Sequence, residues 1–175
     1  MFGFNQPTYT ITYPTIKLPG DYYNFGTASA DIFYGTGLRE YYSGGYGNDR
    51  LFGGDNHDTM IGGAGVDTLG GDNGNDYLSG GDGNDALYAG DGSDTVHGGT
   101  GGDWIIGDNT ERDHTFGFDD LLFGDAGDDS IWAGGGDDSV HGGPDDDLLH
   151  GQRGNDAVNG DAGDDTVYGG GGEDT

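Results

Sequence analysis

From Gly44 to Ile106 the chain reads GGYGNDRLF (44–52), GGDNHDTMI (53–61), GGAGVDTLG (62–70), GDNGNDYLS (71–79), GGDGNDALY (80–88), AGDGSDTVH (89–97) and GGTGGDWII (98–106), seven units of nine with nothing inserted. A fixed period of this kind marks a repeat architecture, in which each unit buries its apolar side only by stacking on a neighbour. The register reaches back through GTGLREYYS (35–43) and GTASADIFY (26–34), which keep an acid at the sixth position and an aromatic at the eighth. It resumes at Gly124, runs through five more units to Tyr168, and ends in a partial unit, GGGGEDT.

Between the blocks, residues 107–123 (GDNTERDHTFGFDDLLF) fill seventeen positions where one unit needs nine. One reading makes Asp120 and Leu122 the sixth and eighth positions and loops Asn109 to Gly117 outward. The other makes two shortened units, which would reverse the alternation of sides beyond them. Sequence leaves both open. In residues 1–25, Tyr9, Ile11 and Tyr13 alternate with Thr10 and Thr12 as in a half-buried strand, so this segment is expected to cap the first coil and residues 26–175 to form the repeat domain. Glycine recurs too often for a helix anywhere.

Each unit divides into a six-residue turn and a three-residue strand. Glycines at positions one, two and four suit a turn that visits φ > 0 and brings carbonyls close together; Asn56, at a fourth position, is the next best tolerated residue. In the strand, period-2 alternation points the eighth residue inward. That residue is Leu51, Met60, Leu69, Leu78, Leu87, Val96, Ile105, Ile131, Val140, Leu149, Val158 or Val167. The expected fold is all-β, a parallel solenoid with a thin core.

Composition says what such a core lacks. The 175 residues include 42 Gly, 33 acids, 5 Lys plus Arg and no Cys, for a formal charge of −28. Gly usage in ordinary domains is about 7%. So little apolar surface and so much charge of one sign would leave a chain disordered unless a ligand intervened. The acidity argues against nucleic acid and anionic membranes, and no stretch approaches the roughly 18 apolar residues of a membrane span. Without Cys, any metal must accept oxygen ligands, which favours hard ions.

The acids supply the ligand. Asp49, Asp58, Asp67, Asp76, Asp85, Asp94, Asp103, Asp129, Asp138, Asp147, Asp156 and Asp165 occupy sixth positions, with Asp120 in the irregular unit. Two strands make one coil, so neighbours on one edge are eighteen apart, as Asp49 and Asp67 are. Coils stacked about 4.8 Å apart place these acids in repelling rows. Ca²⁺ between coils, taking six to eight oxygens from carbonyls and carboxylates, turns that repulsion into adhesion; Mg²⁺ demands octahedral geometry and keeps its waters. Solvated turn acids would need no strict period.

The run GGxGxDxUx, with U a large apolar residue, resembles the RTX (repeat in toxin) nonapeptide over about four fifths of the chain. The resemblance implies a right-handed parallel β-roll, calcium between successive turns of one edge, and export in an unfolded state through a type I secretion channel. It implies that the sixth-position Asp binds ions by its side chain. It implies too that Gly44, Gly53, Gly62, Gly71, Gly80, Gly98, Gly124, Gly142, Gly151 and Gly160 contribute carbonyls. Some units depart from the pattern. Glu40 replaces Asp, and Ala30 stands where a small polar residue is usual, so the first two turns are expected to bind no metal. Asp145 follows Pro144 at a fourth position, which puts that turn in question, and the insertion is expected to disrupt sites on its own edge.

Other residues read more plainly. His97, His141 and His150 stand at ninth positions and point outward as polar filler. His114, with Arg112 and Asp113, sits in the inserted loop. Trp104 and Trp132 are expected to cover faces beside the insertion rather than form a platform with Phe116 and Phe118. Ser130 and Ser139 have no His and Asp at a triad spacing, and neither HExxH nor GxxxxGK[ST] occurs, so no catalytic residue is expected. Met1 to Leu18 lacks a secretory signal's basic start and apolar run. The expectation is a non-enzymatic calcium module of a secreted bacterial protein, exported without a signal peptide. The alternatives are the accessory part of a secreted lipase, metalloprotease or alginate epimerase, or an adhesin, S-layer or polysaccharide-binding protein. An exposed last coil makes end-to-end association an expectation too.

Overall fold

The computed structural model describes residues 16–18, 21–108 and 117–175, with side chains from Tyr23 onward. Its elements are β1 (Ile16–Leu18), β2 (Asp21–Phe25), β3 (Ile32–Tyr34), β4 (Arg39–Tyr46), β5 (Arg50–Asp55), β6 (Thr59–Ala64), β7 (Thr68–Asn73), β8 (Tyr77–Asp82), β9 (Ala86–Asp91), β10 (Thr95–Thr100), β11 (Trp104–Ile106), β12 (Leu121–Ala126), β13 (Ser130–Gly135), β14 (Ser139–Pro144), β15 (Leu148–Arg153), β16 (Ala157–Ala162) and β17 (Thr166–Gly171). No helix occurs among the described residues, and so none that could cross a membrane.

Successive strands go to opposite sheets. One sheet has the order β1-β2-β4-β6-β8-β10-β12-β14-β16 and the other β17-β15-β13-β11-β9-β7-β5-β3. Every pairing is parallel except β1 on β2. Strand residues eighteen apart face each other, as Met60 faces Leu78 and Leu69 faces Leu87. This is the expected parallel β-solenoid. β2 already stacks in parallel on β4, and β1 closes that sheet's first edge; the expected strand around Tyr9 to Tyr13 lies outside the described residues.

The strands are longer than the three residues expected. In Thr59–Ala64 the ladder continues through the first three residues of the next unit. Alternation then turns two residues inward per strand, Met60 and Gly62. The eighth position makes the core: Phe33, Tyr42, Leu51, Met60, Leu69, Leu78, Leu87, Val96, Ile105, Leu122, Ile131, Val140 and Leu149 are buried. Val158 is only partly buried and Val167 is 44% exposed, because the final coil has a neighbour on one side only.

The irregular unit counts as one. Val96 pairs with Leu122, and β11 pairs with both β9 and β13, so the sides do not reverse and the two-unit alternative is excluded. Gly117 does not belong to the excursion, as the first reading had it. It stacks against Gly135, a third-position residue. Without 109–116 the unit reads Gly107, Asp108, Gly117, Phe118, Asp119, Asp120, Leu121, Leu122, Phe123, which is nine residues. Eight residues therefore enter between positions two and three, at a turn, where neither sheet's register is disturbed.

A core one residue wide gives a graded expectation. Leu78→Ala removes a fully buried side chain and should cost about 2–5 kcal/mol. Val167→Ala, at a half-exposed site, should cost under about 1 kcal/mol. Denaturant titration of both variants in saturating calcium measures the difference.

Candidate metal centre

The sixth-position carboxylates face inward and are buried, with Asp49, Asp58, Asp67, Asp76, Asp85, Asp94, Asp103, Asp120, Asp129, Asp138, Asp147 and Asp156 all nearly inaccessible. They form two rows. On one edge, the amide of each member donates to Oδ1 of the next at 2.7–3.0 Å, in the order Asp31, Asp49, Asp67, Asp85, Asp103, Asp129, Asp147, Asp165. On the other, Glu40, Asp58, Asp76, Asp94, Asp120, Asp138, Asp156 and Asp174 do the same at 2.7–3.1 Å. The row of carboxylates runs through Asp120 unbroken.

One oxygen of each carboxylate is thus spoken for. The other is not: Oδ2 of these twelve aspartates and Oε2 of Glu40 are buried without a hydrogen-bond partner. Leaving a buried polar group unsatisfied costs about 1–3 kcal/mol, more if it is charged. Thirteen such atoms therefore total tens of kcal/mol, against a net stability of about 5–15 kcal/mol for an ordinary domain. The ionised rows need a cation.

The orphaned oxygens point at the first-position glycines. A β-carbon on Gly62 would lie 2.5 Å from Asp67 Oδ2 and 2.6 Å from the carbonyl oxygen of Gly80, one coil on. On Gly98 it would lie 2.4 Å from Asp103 Oδ2 and 2.5 Å from Gly124 O. A carboxylate and a carbonyl thus border the same small space, and Ca²⁺ sits about 2.3–2.6 Å from its oxygens. The donor set fits a hard cation. Among the described residues no three His, Cys, Asp or Glu side chains converge on one point, so each turn would lean on carbonyls, as a site for Ca²⁺ can and one for a softer metal would not.

Glycine's two uses separate by position. Second and fourth positions take φ > 0, as Gly63 (+115°) and Gly65 (+151°) do, and Asn56 (+78°) and Asp145 (+82°) adopt it without glycine. The turn after Pro144 keeps its form, and Asp147 holds its place in the row. First positions do not visit φ > 0, contrary to expectation; there glycine is needed for space.

The first two turns differ. Asp31 Oδ2 accepts from the Thr27 amide (2.6 Å) and hydroxyl (2.9 Å). Glu40 Oε1 accepts from the Thr36 amide at 3.1 Å and also from its hydroxyl. The carbonyls of Gly44 and Gly53 lie only 1.9 and 1.4 Å from where β-carbons of Gly26 and Gly35 would be, so little room is left in either turn.

Three features escaped sequence reasoning. Gly107 opens the Asp120 turn, its β-carbon position 2.5 Å from Asp120 Oδ2, but lies thirteen residues before Asp120 rather than five. Asp174 closes the second row. Fifth-position side chains build an outer row, in which Asp119, Asp128 and Asp137 accept from amides one coil on; the frequent Asn and Asp there were the available signal.

The histidines face outward in aromatic stacks: His97 between Tyr77 and Phe123, His141 on Phe123, His150 between Trp132 and Tyr168. His97 and His141 also pair with Asp125 (3.0 Å) and Asp161 (3.3 Å). Trp104 packs on Trp132 with ring centroids 4.4 Å apart. His114 and Phe116 lie outside the described residues.

A family model of the RTX calcium-binding nonapeptide repeat matches the chain four times, over residues 34–69, 70–109, 114–149 and 141–175. No curated protein matches it.

Burial raises these carboxyls far above their usual range, to about 7 for Asp58, Asp76, Asp94, Asp103 and Asp138, about 8 for Asp129 and about 9 for Asp120. Between the ordinary value near 3.8 and these values the folded chain binds more protons than the unfolded one, so stability falls as pH rises. Without calcium the roll should be most stable below about pH 4 and lose β-structure towards pH 8. Circular dichroism in metal-free buffer across that range measures it, and stability that rises with pH would contradict the burial of these groups.

Proposed function

We propose that this chain, which belongs to the RTX calcium-binding nonapeptide repeat family, is a non-enzymatic module of a secreted bacterial protein that folds when calcium reaches it. The observation that carries the reading is the pair of buried carboxylate rows with an unpartnered oxygen at each turn. In a compartment poor in calcium, the −28 chain cannot offset the charge it would have to bury, and stays expanded. Outside, millimolar calcium neutralises the turns, in line with affinities of about 10⁻⁴ to 10⁻³ M for extracellular modules. Binding energy is then folding energy.

In this reading the sixth-position aspartates supply carboxylate oxygens and the first-position residues supply carbonyls, from Gly44 through Gly160. Signal-peptide-independent export by a type I channel suits a chain that remains unfolded until it emerges. Accessory service to a secreted enzyme, or adhesion through the outer strand faces, is compatible with the same folding step.

A calcium titration at pH 7.5 tests the folding step. The β-signature is expected to be absent in EGTA and to grow to completion by millimolar calcium. Asp85→Asn keeps an acceptor for the Asp67 amide (2.8 Å) but removes the charge, so it should move the midpoint to several-fold higher calcium. A spectrum already complete in EGTA and unchanged by calcium would refute the reading.

A further inference from the structure

The two edges are not equivalent at position one. Leaving aside the first two turns, which open with Gly26 and Gly35 and have little room, the six turns of the Asp49 edge that have another coil beyond them open with Gly44, Gly62, Gly80, Gly98, Gly124 and Gly142. On the Asp58 edge they open with Gly53, Gly71, Ala89, Gly107, Ala133 and Gly151. Two of twelve therefore carry a methyl group where the others carry none.

The methyl matters because of where it points. A β-carbon on Gly71 would lie 2.4 Å from Asp76 Oδ2 and 2.3 Å from Ala89 O, and one on Gly107 would lie 2.5 Å from Asp120 Oδ2 and 2.2 Å from Ala133 O. In the glycine turns this space lies between the two oxygens. At Ala89 and Ala133 it holds a real β-carbon, fully buried and packed into the apolar core. By the period the corresponding carboxylate oxygens are Asp94 Oδ2 and Asp138 Oδ2, which remain buried without partners. A methyl group offers no electron pair, and carbon needs about 3.5 Å from its neighbours, so it holds apart the oxygens that an ion at about 2.3–2.6 Å must draw together. The carbonyls of Ala89 and Ala133 are untouched by this and still serve the turns of Asp76 and Asp120.

Resting on the calcium reading above, we propose that the Asp49 edge takes calcium at all six of these turns and the Asp58 edge at only four, the turns of Asp94 and Asp138 being closed by Ala89 and Ala133. The closed turns flank the turn that carries the eight-residue excursion, since the units opening at 89, 107 and 133 follow one another on that edge. The Asp120 site is then isolated along its row. Its neighbours are held by packing instead.

The experiment is a count of bound calcium by native mass spectrometry on the full chain at saturating calcium. Ala89→Gly/Ala133→Gly is expected to bind two ions more than the unaltered chain, and Gly62→Ala/Gly98→Ala two fewer. An unchanged count in the Ala→Gly variant, or anomalous scattering peaks at Asp94 and Asp138 in crystals of the unaltered chain, would overturn the proposal while leaving calcium-driven folding intact. A chain that binds no calcium at all would overturn both. Should the Gly→Ala variant fail to fold, the Ala→Gly variant still decides, because it adds space without adding a side chain.

Discussion

Each turn of this roll brings one carboxylate to its inner wall, and the coil spacing forces those carboxylates into line. Alternation makes this unavoidable. Positions six, eight and the next one all face inward, so an acid at position six shares the interior with Leu78 or Leu87 and not the solvent. The amide of the preceding coil takes one oxygen of each carboxylate, which fixes the side chain and aims the second oxygen at the start of its own turn. Backbone pairing, core width and charge therefore meet at one residue type. The apolar core is too thin to carry the fold against that charge while the row stays ionised and unneutralised.

Glycine does two separate things in the repeat. At positions two and four it answers a backbone requirement, φ > 0, that Asn56, Asp72, Asp125 and Asp145 also meet. At position one it answers a requirement for empty space, which no other residue meets. Substitutions at these positions have different consequences: at two and four they strain a turn, while at one they fill the place where two oxygens converge.

Much of this was legible in the nonapeptides. The period predicts parallel strands, the eighth position predicts the buried column from Leu51 to Leu149, and the sixth predicts the acid rows. What stayed hidden depended on three-dimensional closure. Seventeen residues at 107–123 fit one unit or two by counting alone; only the pairing of Val96 with Leu122 separates them. Gly107 could not be assigned to Asp120 because the excursion breaks the fixed spacing between first and sixth positions. Strand length was underestimated because glycine at position one reads as turn chemistry, yet its neighbours remain hydrogen-bonded across the sheet.

The distribution of the remaining residues follows from the same constraint. Of the 33 acids, none stands at a seventh or ninth position between residues 26 and 168, so those outward positions carry no carboxylate while the turns are crowded with them. Those positions carry aromatic stacks. Tyr34 stacks on Phe52, and Phe33 packs on Tyr42 inside, at the first coils, whose turns have little room. His97, Phe123 and His141 on one sheet, and Trp104, Trp132, His150 and Tyr168 on the other, cross the coils around the excursion and run to the last one. A ring pair contributes about 0.5–1.5 kcal/mol beyond its area burial, and it does so without calcium. The solenoid is thus joined coil to coil in two ways, by the carboxylate–amide ladder along its edges and by ring contacts across its faces.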